Sequence, residues 1–196
     1  METDACMDAI ALLTGDHNRV RGLFKQFKSA EEADDKATMK KVAPKIFENL
    51  EVHTTIEEEI FYPEIKSTSE DVKDVVAEGF EEHNVAKTLI AEAKAEEIGS
   101  EKWVAKMKVL IENVEHHAEE EEKEMFPPLR NGLGKERLVA LAEKMEARKA
   151  ELGAPTSADT RDLSKEKLEE LASKQEIPGR SKMSQEELAL TVDPRG

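Results

Sequence analysis

Four of the chain's five histidines recur in two copies of one pattern: His17, then His53 with Glu57, and His83, then His117 with Glu121. The second copy follows the first by 66 residues for the leading histidine and by 64 for both members of the His-x-x-x-Glu pair, the regularity of an internal repeat. Imidazole nitrogens and carboxylate oxygens are donors for divalent metals, and these six could hold two ions with positions left open for exchangeable ligands. A mixed nitrogen and oxygen set without thiolate suits iron or manganese better than tetrahedral structural zinc. The chemistry implied is that of a dinuclear metal centre.

Presenting these donors to one interior requires helices. Residues four apart share a helical face, so His53 with Glu57 and His117 with Glu121 can each offer a nitrogen and an oxygen to one centre. Ile10, Leu13, His17, Val20, Phe24 and Phe27 fall at three- and four-residue steps and predict a first helix over about residues 4–30. Ile46, Leu50, His53, Glu57 and Ile60 predict a second over 36–61, with Pro44 bending its early turns and Tyr62-Pro63 ending or kinking it. Val72, Val76, Phe80, His83, Ala86 and Ile90 predict a third over 71–98, stopping before Gly99-Ser100. Ser100 is the N-cap of a fourth, which lines up Trp103, Met107, Leu110, Val114, His117 and Glu121 before Phe126-Pro127-Pro128. A further amphipathic segment over 135–152 is expected outside or at one end of the bundle, and its residues suggest no chemistry.

Every repeat residue therefore lies on an apolar stripe. Burying an unpaired carboxylate costs several kcal/mol even after relaxation, and no inward Lys or Arg is evident to pair Glu57 or Glu121. A bound cation would offset that cost. A lone histidine on an apolar face is more often a hydrogen-bonded core residue, and a glutamate in a charge run is usually solvated. Glu58, Glu59, Glu119, Glu120 and Glu122 are placed in that solvated class. For the six repeat residues the same reading needs several coincidences at once. His116 with Glu120 is a rival register, but His117 continues the stripe from Trp103 and lies ten residues before Pro127, as His53 does before Pro63. His116 is assigned to the surface or to the ring of residues around the ligands. Cys6 is expected to be a small buried side chain, and Phe24, Phe27 and Phe80 plain core.

Composition agrees with helices and narrows the partners. The 196 residues fit one domain with an appendage, glycine and aromatic residues are scarce, and no run alternates as a half-buried strand would, so the expected class is all-α. A net charge of −15 argues against a general polyanion binder or an anionic-membrane binder. One cysteine, no signal-peptide pattern and no stretch of transmembrane length point to the cytoplasm.

Asp16-His17-Asn18, His53-Thr54-Thr55-Ile56-Glu57-Glu58 with Phe61-Tyr62-Pro63, His83, and His117-Ala118-Glu119-Glu120-Glu121-Glu122 with Phe126-Pro127 resemble the hemerythrin-like HHE cation-binding domain over about residues 7–130. The resemblance implies an up-down four-helix bundle around an oxo- or hydroxo-bridged pair of iron ions. It also implies His17 and His53 on one iron, His83 and His117 on the other, and Glu57 and Glu121 bridging. Oxygen-carrying hemerythrins have a further histidine one turn after the third-helix ligand, where this chain has Lys87. Four imidazoles instead of five make the set similar to that of bacterial iron-cluster repair proteins and of hemerythrin-like proteins acting on nitric oxide or peroxide. The expectation is a di-iron protein that binds and reacts with or senses O2, H2O2 or NO, with a non-catalytic iron-handling or oxygen-storage protein as the alternative. Lys87 is expected to point to solvent or to approach a bound anion.

The bundle is expected over residues 1–152, with 153–160 a linker by composition and 161–196 a short helix-loop-helix tail with room for partial disorder. Leu163 to Leu171, the run from Ile177 to Ser184, and Glu186-Glu187-Leu188 resemble the Rho N-terminal-like or SAP-like modules that often touch nucleic acid. Seven basic against nine acidic residues from Asp159 onward weaken that implication, although Arg180 and Lys182 could contact phosphate. Contact with a protein is the expectation preferred for the tail.

Overall fold

The computed structural model describes residues 7–195, so Cys6 and the first residues of the expected opening helix lie outside the described residues. Among the described residues every regular element is helical and no strand occurs, which is the expected all-α class. Helix α1 (Ala9–Glu32) starts where Asp8 accepts a hydrogen bond from the Ala11 amide. Helix α2 (Lys36–Ile56) is capped by Asp35, and α4 (Glu70–Ala95) and α5 (Glu101–Glu120) by Ser69 and Ser100. The connections between these long helices are short, so consecutive ones run antiparallel in a four-helix bundle.

Neither Pro63 nor Pro127 ends its helix. A proline inside an α-helix lacks the N–H and clashes with the carbonyl one turn back. Here a π-helical turn, Glu57–Phe61 or Glu121–Met125, inserts one extra residue just before it. The chain then restarts as α3 (Tyr62–Ile65) or α6 (Phe126–Gly132), with the proline in the first helical positions, where no N–H is required. Each π-helical turn begins at a repeat glutamate, and such turns are frequent at functional sites.

Two apolar clusters fill the bundle and leave a polar layer between them. One holds Val20, Phe24, Phe27, Leu50, Trp103 and Leu110; the other holds Ile10, Leu13, Ile56, Phe61, Met125 and Leu129. Helix α7 (Lys135–Glu151) closes the second cluster with Leu138, Leu141 and Met145, lying against α1, α2 and the first π-helical turn. Phe80 departs from the plain-core expectation. It is 36% exposed at the bundle edge, with its ring against the edge of Tyr62.

Beyond α7 the chain turns through Ser157–Asp159, forms α8 (Lys165–Lys174) and ends in α9 (Gln185–Thr191), with a small core of Leu168, Ala172, Ile177, Leu188 and Val192. This segment lies on α1 and contacts the bundle itself. Two glycines of α1 permit the approach: a Cβ on Gly15 would stand 3.0 Å from Leu190 Cβ, and one on Gly22 would stand 2.6 Å from the Gln175 carbonyl oxygen. Among the described residues no helix is long and apolar enough to cross a membrane.

Candidate metal centre

The helices bring all six repeat residues into the polar layer, each of them buried. Nε2 of His17 lies 3.2 Å from Nε2 of His53, and Nε2 of His83 lies 3.1 Å from Nε2 of His117. The histidines thus form two pairs, one from α1 and α2, the other from α4 and α5. The glutamates span the pairs. Glu57 Oε2 is 3.2 Å from His53 Nε2 and 3.3 Å from His83 Nε2; Glu121 Oε2 is 3.3 Å from His17 Nε2 and 3.8 Å from His117 Nε2. Both Glu57 oxygens and Glu121 Oε2 are buried without a hydrogen-bond partner, an arrangement that natural interiors avoid. Two groups of donors, His17 with His53, Glu57 and Glu121, and Glu57 with His83 and His117, are close enough for each to hold one cation. Cations between the facing nitrogens would satisfy the orphaned oxygens, so the residues present fit a metal pair.

Behind the inward nitrogens stands a ring of carboxylates. His17 Nδ1–H donates to Glu122 at 2.9 Å, His83 Nδ1–H to Glu58 at 2.9 Å and His117 Nδ1–H to Glu82 at 2.8 Å. This fixes the tautomer with the Nε2 lone pair turned inward and raises the donor strength of the ring. Glu58 and Glu122 are therefore not the solvated residues expected from their charge run. Arg21 holds Glu122 at 2.8 Å, and Lys87, exposed to solvent as expected, holds both Glu58 oxygens at 2.6 Å. Glu59, Glu119 and Glu120 lie toward the surface with Arg148, Lys123 and His116. His116 is exposed and lies outside the centre.

This outer ring was not read from the sequence, although the repeat carried a signal for it. Asp16 and Glu82 are 66 residues apart, as are Arg21 and Lys87, while Glu58 and Glu122 are 64 apart, the same two offsets that relate the inner donors. Tyr62 and Phe126 are also 64 apart and stack on His83 and His17. Only Tyr62 carries a hydroxyl, and it donates to Glu121 Oε1 at 2.9 Å. Arg19 and Lys149 were missed. Both are buried on Asp16, and the expectation that α7 carries no chemistry is corrected by Lys149 Nζ, which lies 2.7 and 2.9 Å from the two Asp16 oxygens.

Burial and mutual repulsion sort the protonation states. Burial, with His117 and His53 nearby, brings His83 down to about 2, and burial also lowers His53 despite Asp16, so both rings are neutral donors. Burial would lower His17 as well, but the adjacent carboxylates of Glu121 and Glu122 outweigh it and raise His17. Burial and the nearby Glu121 hold Glu57 well above the ordinary carboxylate range, whereas His117 and His17 overcome burial and lower Glu121. Burial and the two glutamates push the Tyr62 phenol up, so it stays a hydrogen-bond donor. A cavity of about 20 Å³ adjoins the four histidines, walled by Val20, Leu50, Ala86 and Val114. It admits a molecule the size of water or a diatomic gas.

A family model described as "Hemerythrin HHE cation binding domain" matches residues 8–129. Among curated proteins, the chain is similar to a DNA nickase of Nostoc sp. (strain PCC 7120 / SAG 25.82 / UTEX 2576), with 26% identity over 137 residues. That match covers 70% of this chain and 38% of the relative, so the chain spans well under half of the relative's length. No solved structure matches. The Rho N-terminal-like or SAP-like resemblance of the tail gains no support from these matches.

Proposed function

The chain belongs to the hemerythrin HHE cation-binding domain family, and on that premise we propose that it is a non-heme di-iron protein that binds and reacts with or senses a small oxidant, O2, H2O2 or NO. The observation that carries this reading is the convergence of four inward Nε2 atoms and three partnerless buried carboxylate oxygens, two of Glu57 and one of Glu121, beside a cavity of about 20 Å³. His17 and His53 would hold one iron and His83 and His117 the other, with Glu57 and Glu121 spanning them. Two adjacent irons supply redox centres and open positions at which a small oxidant can bind. The chain's own groups do the rest. Glu58, Glu82 and Glu122 orient three of the rings, Phe126 and the apolar wall limit water, and Tyr62 keeps a proton on its oxygen next to Glu121. Lys87, where a fifth histidine would stand in an oxygen carrier, is tied to Glu58, which favours reaction or sensing over simple carriage. A cytoplasmic home belongs to the same reading.

Strand cleavage, which the name of the Nostoc relative brings to mind, is opposed by the depth of the donors and by the net charge of −15. A phosphodiester cannot reach Glu57 or Glu121, whose side chains have essentially no exposed surface.

The test is the iron content and visible spectrum of aerobically purified protein beside the His53→Ala/His117→Ala variant. About two irons per chain, as in other di-iron bundles, with bands lost in the variant, is the expected result; turnover with peroxide or nitric oxide then separates an enzyme from a storage or iron-handling protein. No iron after anaerobic ferrous loading overturns the reading, and relaxation of supercoiled plasmid by the iron-loaded protein would move the weight to strand cleavage.

A further inference from the structure

We infer that Arg19 is a positioning residue through which the C-terminal segment makes the two ion positions unequal, by withholding Asp16 from His53. The inference rests on the dinuclear reading above. Arg19 is buried between α1 and α9, with Nε 2.8 Å from the Thr191 carbonyl oxygen and Nη2 2.6 Å from that of Leu190, at the C-terminal end of α9. Its Nη1 donates to Asp16 Oδ1 at 3.0 Å. Lys149 grips both oxygens of the same carboxylate from the other side. Held by two cations, Asp16 leaves Oδ2 3.9 Å from His53 Nδ1, beyond hydrogen-bond range, and that nitrogen is buried with no partner.

The other half of the repeat is the internal control. Glu82, 66 residues after Asp16, accepts the His117 Nδ1–H at 2.8 Å. The residue 66 after Arg19 is Val85, an apolar side chain 48% exposed. The difference between the halves therefore coincides with the segment docked on α1. An imidazole whose outer N–H is held by a carboxylate is a stronger metal donor, and such outer contacts are worth about 10–100-fold in affinity. Of the four rings only His53 lacks one, so the ion position shared by His17 and His53 is the weaker of the two.

The experiment uses the full chain in two forms. In metal-free protein labelled with 15N-histidine, NMR resolves which Nδ1–H groups are held: His17, His83 and His117 show protected protons and His53 does not. Arg19→Gln removes the charge but keeps a donor for the α9 carbonyls; it releases Asp16, and a fourth protected proton appears. Arg19→Lys restores the native pattern. Circular dichroism and the melting temperature establish that each variant is folded, and Lys149→Gln, acting from the opposite side, repeats the test should the segment undock in Arg19→Gln. Ferrous iron titrated anaerobically against a chromogenic chelator gives two steps about tenfold apart in the native chain. In Arg19→Gln the weaker step tightens toward the stronger, which stays in place. Two equal native steps overturn the inference. So does a His53 resonance unmoved by both Arg19→Gln and Lys149→Gln, because Asp16 is then simply one methylene too short to reach. No iron uptake by the native chain overturns the dinuclear reading and the inference with it, a result that cannot be mistaken for two equal steps.

Discussion

At the scale of single residues, the centre sets stability against binding, and Glu57 shows the conflict most directly. Its folded-state pKa is pushed up from an ordinary value of 4.5, chiefly by burial, so it holds its proton more tightly. A carboxyl raised on folding weakens the folded state as pH rises above that ordinary value, because the fold must then keep a proton or bury a charge. Glu57→Gln removes this cost. The metal-free variant should gain about 1–3 kcal/mol at pH 8, read as a higher melting temperature, and gain nothing near pH 4.5, while its ferrous affinity collapses. A variant that melts below the native metal-free chain at pH 8 contradicts the account. The same protons govern metal uptake. Glu57 and His17 both hold a proton to higher pH than the free side chains do, and a metal must displace it. Ferrous affinity should therefore climb from pH 6 to pH 8, with protons released on binding, detectable with an indicator dye in weak buffer. A pH-independent affinity counts against the assigned protonation states. The inner donors were legible because type, spacing and repeat offset coincide in them. Glu58 and Glu122 obeyed the same offsets but sat inside runs of glutamate, where identity alone does not separate a side chain that turns under a histidine from one that faces water. Arg19 and Lys149 carry no spacing signal, since their roles arise from α7 and α9 folding back onto α1.

At the scale of elements, the four long helices and their caps could be read from apolar steps and from Ser100, but the π-helical turns could not be read from proline alone. Pro63 and Pro127 were expected to stop or kink their helices. The buried set Glu57, Phe61, Tyr62 and Ile65 already departs from a straight α-helical stripe by one residue, which is the mark of the inserted turn. That turn sets Tyr62 against α4, and the close approach depends on Gly79. A Cβ there would stand 2.8 Å from the Tyr62 hydroxyl and 3.4 Å from His117 Cε1. Alanine is the better helix former by about 1 kcal/mol, so Gly79→Ala should leave helix content intact while displacing the hydroxyl from Glu121. We expect ferrous affinity to fall about 10- to 150-fold, the equivalent of one hydrogen bond to a charged group. Tyr62→Phe removes the same bond without crowding and should move the affinity in the same direction. A Gly79→Ala protein with native affinity, alongside a weakened Tyr62→Phe protein, would show that the hydroxyl has room to yield.

At the scale of the whole molecule, a four-helix bundle and a C-terminal segment are joined along α1, and their stabilities need not be equal. The segment's own core is five small or medium apolar residues, too little to hold so short a chain folded by itself. Its order therefore depends on docking, through Arg19, through Gln26 on the Gln175 carbonyl and through the two glycines of α1. Gly22 is the position at which this dependence can be probed without touching a charge. A Cβ there would meet the Gln175 carbonyl oxygen at 2.6 Å and Ile177 Cδ1 at 3.0 Å, and the backbone carbonyl cannot swing aside as a flexible side chain would. Within α1 the change to alanine favours the helix, so the strain falls on the segment. Gly22→Ala should lower the cost of lifting the segment by about 1–3 kcal/mol. Trypsin should then cut after Arg180 and Lys182 roughly 5- to 100-fold faster, while cuts in α1, α2, α4 and α5 keep their native rate and iron loading still protects the bundle. Equal acceleration at every site would mean that bundle and segment open as one unit, with the docked surface belonging to a single core.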